Sequence, residues 1–510
     1  MSNTHINNKR IAKNTIFLYI RMLFTLGVSL FTSRVILQTL GVEDYGIYSV
    51  VGGIITMFTF INSSMVSATQ RFLTFEIGKG NFAQLKKVFS TALQIHALIS
   101  LIIVVLGETV GLWFLYKELV IPAERMTAAF WVYQCSIIAC VINTMSVPYN
   151  ATIIANEKMS AFAYISILEV TLKLLIVYML YITPWDKLIT YAILILSVQL
   201  IIRFVYALYC KKHFAESHYH HQIEKPLFKE MVGFAGWSFW GNLSTVLYTQ
   251  GLNMMLNIFF GPIVNAARGI AVQVQTAVQQ FVSNFQVALN PQITKNYATG
   301  QLTQMHNLMF RSARFSFFLL FILTLPILLE TEYILTLWLK TVPDGAVIFT
   351  RWMIGISLIY TIANPCVVAN QATGKVKVYQ AVVGSILLTI LPISYIVLKL
   401  GAPAYSVFIV HFCVESVAQF ARMYMLRRLI SLPLRAYLRN IYLPVITVAI
   451  ISSTIPVYVH TQYTGGFIGF ITVTIVSFVS VTLTTAFIGL TNKERSFFYH
   501  KAMQIVKRNK

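Results

Sequence analysis

Runs of about twenty apolar residues recur along the whole chain, and that spacing leaves few folds open. A helix needs roughly 20 such residues to cross the hydrocarbon core of a bilayer. Inside that core every backbone N–H and C=O must be satisfied within the protein. Fourteen runs are legible, near 15–40, 47–68, 88–113, 127–148, 161–182, 188–209, 232–259, 264–289, 315–338, 352–372, 377–398, 403–426, 441–459 and 466–490. Of the 510 residues 57% are hydrophobic and only 11% charged, with mean hydropathy +0.70. A soluble chain carries about 25% charged residues. The sequence therefore predicts an all-α polytopic membrane protein of about 14 transmembrane helices. The first run follows Lys9, Arg10 and Lys13, is too long for a signal-peptide core and precedes no small-residue cleavage site, so it reads as a retained span.

A formal net charge of +22 would suit nucleic acid if the basic residues were clustered. Counted against the fourteen spans, 28 of the 39 Lys and Arg fall at the amino terminus, in even-numbered loops or in the tail, with Lys377 and Arg422, near the loop-facing ends of spans 11 and 12, counted among them. Six fall in odd-numbered loops, and five (Arg21, Arg34, Lys173, Arg203, Arg268) lie within spans. Cytoplasmic loops concentrate Lys and Arg, so the asymmetry puts both termini in the cytoplasm and excludes a nucleic-acid footprint.

A shift of 220 residues aligns a recurring frame: Leu40-Gly41 on Phe260-Gly261, and Thr74, Gly80 and Gln84 on Thr294, Gly300 and Gln304. Two pseudo-symmetric six-helix lobes follow, a common transporter plan with the site between halves. The expected divisions are 1–210 (spans 1–6), a cytoplasmic connector 211–230, 231–428 (spans 7–12), and 429–510, a C-terminal helix pair with a basic tail.

Lipid-facing helix surface is apolar, so polar residues at helical spacing mark a wet or protein-facing side. In span 8, Asn265, Arg268, Gln275, Gln279, Ser283, Gln286 and Asn290 share one face, and span 7 repeats the pattern with Ser238, Asn242, Thr245, Thr249 and Asn253. Arg21, Thr25, Ser29, Thr32 and Thr39 make a similar stripe on span 1. Helix–helix glue is the competing explanation; it suffices for span 1, whereas span 8 carries more polar groups than packing needs and reads as lumen.

The remaining intramembrane charges sort by position. Arg34 lies off the span 1 stripe, within snorkelling reach of the outer end. Lys173 follows Glu169 by one turn, which suits a self-neutralised pair as well as a substrate contact. Arg203 snorkels at the end of span 6. His411 and Glu415, also one turn apart on span 12, are candidates for ion coupling. Glu108 sits near the outer end of span 3 as an interfacial carboxylate or the answer to a lumen cation. Arg268 has no acid within a turn and heads the site candidates.

Several chemistries lack their residues. There is no GxxxxGK[ST] loop, no HExxH and no serine elbow, and the three aspartates (Asp44, Asp186, Asp344) cannot form a DxD site. Cys135, Cys140, Cys210, Cys366 and Cys413 lie in or beside spans and read as buried thiols, not a disulfide or zinc framework. The loop histidines His213, His218, His220 and His221 read as solvated, so no metal is expected. The chain reads as a transporter, not an enzyme. Guanidinium forks suit phosphate oxygens, and amide and hydroxyl groups suit sugar hydroxyls. The cargo these favour is an amphiphile, either phospholipid-like or a polyprenyl-linked sugar.

The segments SRVILQTLGVEDYGIYSVVGGI (33–54) and QRFLTFEIGKGNFAQLKKVFS (70–90), with the 14-span plan, resemble the Wzx-type polysaccharide (O-antigen/capsule repeat-unit) flippases. These belong to the multidrug/oligosaccharidyl-lipid/polysaccharide exporter superfamily and are related to lipid II flippases. The resemblance implies a bacterial inner-membrane protein moving undecaprenyl-pyrophosphate-linked oligosaccharides to the periplasmic leaflet by alternating access, for O-antigen, capsule or exopolysaccharide assembly. It implies pyrophosphate contacts at Arg268, which opens RGIAVQVQTAVQQFVSNFQVALNPQITKNYATG (268–300), and at Arg21. Asn242, Gln275, Gln279, Arg34 and Lys173 complete the substrate candidates. The resemblance brings no cofactor, a coupling proton or sodium ion, and polysaccharide polymerase and ligase machinery as partners. The alternatives are a cation-coupled multidrug exporter of the same superfamily, an integral-membrane polymerase or glycosyltransferase, and a non-transporting scaffold. If the flippase reading holds, Arg268→Glu abolishes surface polysaccharide at normal protein level, measured by glycan staining beside an immunoblot.

Overall fold

The computed structural model describes residues 2–117, 121–219, 224–260, 262–339, 342–462, 466–492 and 494–496; of helical stretch 2–12 only the backbone is described, and within 30–63 and 257–266 only some side chains are. Among the described residues the regular structure is all helical. The elements are α1 (Ser2–Lys79), α2 (Phe82–Leu106), α3 (Leu112–Lys117), α4 (Met126–Ala155), α5 (Met159–Ile182), α6 (Lys187–His213), α7 (Lys225–Phe260), α8 (Pro262–Ala298) and α9 (Leu302–Leu329). They continue with α10 (Thr331–Leu339), α11 (Ala346–Thr373), α12 (Val376–Leu388), α13 (Ile390–Lys399), α14 (Ser406–Ile430), α15 (Leu434–Tyr437), α16 (Leu443–Gln462) and α17 (Gly466–Thr484). Among the described residues nine helical segments are long and apolar enough to cross a membrane. Large apolar side chains point outward on them, Leu101 at 59% and Ile468 at 76% exposure, the reverse of a water-soluble surface. The other five predicted runs are helical too, in α1, α7, α8 and α14, but are more polar or only partly described.

The chain forms two compact units, Met1–Phe239 with Thr294–Gly300, and Trp240–Ile293 with Gln301–Lys510. In the first, α1 shows how spans 1 and 2 are joined. The expected outer turn at 41–46 is helical, and α1 carries one unbroken helical assignment. Yet Asn14 donates to the Glu157 carbonyl at 3.1 Å, Glu157 pairs with Lys295 at 2.6 Å, and a Cβ on Gly78 would meet the Lys295 backbone at 3.1 Å. A straight helix would hold Asn14 and Gly78 about 96 Å apart. The chain therefore folds back on itself. At the opposite end Lys187 reaches the Thr39 carbonyl at 3.5 Å and Asp44 pairs with Arg125, so the reversal lies between Thr39 and Asp44.

Arg125 clamps that end of the unit. Its guanidinium donates to both Asp44 oxygens, at 2.8 and 2.5 Å, and to Asp186 at 2.5 Å, tying the α1 reversal to the start of α6. Asp186 also caps α6 by accepting from the Ile189 N–H at 3.0 Å. At the other end Gly80 and Gly300, 220 residues apart, close α1 and α8 with left-handed φ of 71° and 72°.

In the second unit α7, α8, α11, α12, α13 and α14 share one core, including Tyr248, Ala271, Phe349, Tyr379, Ile390 and Phe408. The pair α16 and α17 packs on α9. Beyond α17, Thr491 and Glu494 cap a helical start reciprocally, and the Glu494 carboxylate takes Arg314 at 2.5 Å and Arg311 at 3.2 Å.

Burial raises the pKa of Asp186, but the bonds from Arg125 and the Ile189 N–H outweigh it and hold the carboxyl below its usual range. The stability this gives is present above the ordinary value near pH 4 and is lost as pH falls through the lowered one. Asp186→Asn keeps the cap and removes the charge. Melting of the detergent-solubilised variant should show a smaller loss below about pH 4 than the parent.

Candidate functional site

The polar faces of α7 and α8 meet α11, α12 and α14 around a cavity of about 570 Å³ inside the second unit. Asn242, Thr245, Thr249, Gln250 and Asn253 come from α7, and Arg268, Gln275 and Gln279 from α8. Tyr360 and Gln371 of α11, Tyr379 and Gln380 of α12, and His411, Glu415 and Arg422 of α14 complete its polar wall. Helical periodicity places the first two sets, since residues three, four and seven apart share a face. Six of the nine residues singled out by sequence are thus together: Asn242, Arg268, Gln275, Gln279, His411 and Glu415.

Arg268 is 6% exposed and is held by α7, donating to Asn253 Oδ1 and, at 3.1 Å, to the Thr249 carbonyl. Its buried Nε–H has no acceptor. Gln286, lower on the same stripe, donates to the Thr361 carbonyl at 3.1 Å and joins α8 to α11, so that end of the stripe is packing glue. His411 stands edge-on to Tyr248, ring centroids 5.1 Å apart.

Glu415 departs from expectation. Its carboxylate accepts from Arg422 at 2.7 Å, two turns further along α14, with both side chains almost wholly buried. The sequence assigns Arg422 to the cytoplasmic charges as a residue near the end of span 12, whereas the structure buries it in the cavity wall. The i, i+7 spacing of the two residues was the available signal. A buried pair of this kind binds the geometry of a site more than it adds net stability.

The other candidates lie in the first unit. Arg21 lines a smaller cavity of about 240 Å³ with Asn143, Ser146, Asn150, Ser166, Glu169, Gln199 and Tyr206, its guanidinium 4.7 Å from the centre of the Phe162 ring. Lys173 is neutralised by Glu169 at 2.6 Å, and only the glutamate lines the cavity. The self-neutralised pair is thus the arrangement present, and Lys173 itself is not among the residues lining the cavity. Arg203 stacks on the Tyr149 ring at 4.1 Å instead of snorkelling. Glu108, in a π-helical turn, accepts from Gln134 at 3.2 Å. The side chains of Arg34 and Asn265, and residues His220 and His221, lie outside the described ones. Four cysteines are buried as expected, while Cys413 is exposed. Among the described residues no three His, Cys, Asp or Glu side chains are grouped to hold a metal.

No protein-family model matches the chain, and no curated protein matches it. Solved structures do. An outward-facing multidrug resistance transporter of the MATE family, in the MOP superfamily, superposes with TM-score 0.71 at 13% identity, over 83% of this chain and 96% of that one. The chain has the MATE fold. The MATE transporter ClbM, solved in complex with Rb+, gives 0.70 at 14% identity over 84% and 97%. A MOP superfamily transporter from Pyrococcus furiosus, whose binding pocket of reverse polarity is said to suggest a different function, gives 0.65 at 14% over 84% and 96%. On this MATE fold the charged wall of the cavity comes from α8 and α14.

Arg422→Met leaves the Glu415 carboxylate buried without its partner and should lower stability by about 3–5 kcal/mol. The double variant Glu415→Leu, Arg422→Met should recover most of that loss, read by thermal unfolding in detergent.

Proposed function

We propose that this chain is a membrane exporter that moves drug-sized amphiphiles bearing an acidic group by alternating access. The observation that carries the reading is the polar cavity of the second unit, whose volume falls in the range of small-molecule sites. Its charges are two guanidinium groups against one carboxylate already taken by Arg422. A cationic drug finds no uncompensated acid there among the described residues, whereas an anion finds donors in a low-dielectric wall. The solved neighbours support small-molecule export more than the flipping of lipid-linked oligosaccharide. The reverse-polarity neighbour is a precedent for pocket charge varying on this fold.

Lipid-linked oligosaccharide flipping is the second reading, and the amide lining of Asn242, Gln275, Gln279, Gln371 and Gln380 favours it, because amides suit sugar hydroxyls. A pyrophosphate would take Arg268, with polymerase and ligase proteins as downstream partners. In either case we assign fourteen crossings, two six-helix lobes at 1–210 and 231–428 joined by 211–230, a terminal helix pair in 429–510, an inner-membrane location and cytoplasmic termini. A proton or sodium ion supplies the coupling through His411 and Glu415; since Arg422 occupies Glu415, that requires the pair to open.

Proteoliposomes holding the purified protein should move an anionic fluorescent amphiphile at least about tenfold faster than a cationic dye of equal size, and Arg268→Gln should remove the difference. Preference for the cationic dye would overturn the anionic assignment. In a strain lacking the protein, lipid-linked oligosaccharide accumulating on the cytoplasmic face would select the flippase reading; unchanged sidedness would leave small-molecule export.

A further inference from the structure

Resting on the acidic-cargo reading, we propose that Arg422 is a second anion-binding arm of the cavity and that Glu415 is its built-in competitor. A guanidinium offers five N–H donors in a fixed fork. Glu415 takes Nη1 at 2.7 Å, while the buried Nε–H of Arg422 has no acceptor. Arg268 shows the same feature on the facing wall: two donors engaged by α7, and a buried Nε–H left over. Both side chains are more than nine-tenths buried and both line the cavity. A buried unsatisfied donor on a charged group is costly, and two around one cavity define what would relieve them: a ligand rich in acceptor oxygens and negative charge, with a phosphate as the compact form.

Glu415 already supplies that chemistry to Arg422. An arriving acidic group meets the guanidinium it needs and a carboxylate that repels it, so occupancy is an exchange of one anion for another on the same arm. Among the described residues Tyr248 of α7, Tyr360 of α11 and His411 on the same helix face Glu415, Tyr379 of α12 faces Arg422, and Arg268 acts on His411 from α8. The pair thus works as a selector. A ligand with one weak acceptor does not displace Glu415, whereas a multiply charged headgroup does.

The test is a binding titration on purified full-length protein in detergent, with inorganic pyrophosphate and geranyl pyrophosphate as probes. Glu415→Gln keeps an acceptor for Arg422 and removes the competing charge; it should tighten both probes by about tenfold or more. Arg422→Gln should weaken them, and the double variant should lose the gain of Glu415→Gln, since the competitor acts only through Arg422. Should Arg422→Gln fail to fold, Arg422→Lys keeps the charge without the fork and should bind more weakly than the parent. Unchanged or weaker binding in Glu415→Gln, or a gain that persists without Arg422, overturns the proposal. Tighter binding of geranyl pyrophosphate than of pyrophosphate assigns the arm to the headgroup of an amphiphile; equal binding assigns it to a soluble phosphate. An altered affinity with no vesicle transport would sink the exporter reading alone, and normal anion transport with unaltered affinity in Glu415→Gln would sink only this one.

Discussion

Hydrocarbon offers no hydrogen bonds, and that single deficiency organises this molecule. It forces the backbone into helices, whose bonds close within one segment. It makes each polar side chain within a span a liability unless something answers it. Apolar faces are free to point outward, and the polar ones are driven together. The cavity among α7, α8, α11, α12 and α14 is where amides, phenols and charges of five helices converge.

The same deficiency explains how charges are handled away from the cavity. Lys173 is answered by Glu169, Arg125 by Asp44 and Asp186, and Arg203 by the face of Tyr149. Each has a nearby partner that absorbs its charge or covers it. Arg268 and Arg422 differ in their surroundings: each keeps a buried Nε–H without an acceptor and each lines the cavity of the second unit.

Apolar length and helical periodicity are local properties, and what depends on them was legible in the sequence. The helical class follows from the runs, and the walls supplied by α7 and α8 follow from stripes such as Asn242 to Asn253 and Arg268 to Gln279. What was illegible depends on partners far along the chain. Tyr360, Gln371, Tyr379 and Gln380 sit in helices that read as ordinary apolar spans, and only the fold turns them towards Arg268. Arg422 was misplaced because basic residues near the end of a run look like loop charges; only the packing of the neighbouring helices shows it buried against Glu415. That the reversal between spans 1 and 2 keeps locally helical backbone at 41–46 is likewise not written in composition.

The contact of Glu494 with Arg311 and Arg314 also orders events in time. The ribosome makes α9 first, and the acid that neutralises it lies 180 residues beyond Arg314. Through the insertion of α10 to α17 two closely spaced guanidinium groups await their counterion. Biogenesis of the second unit thus has a late step, reached when the chain has emerged as far as Glu494. A product cut short before that residue would carry Arg311 and Arg314 without the carboxylate that neutralises them.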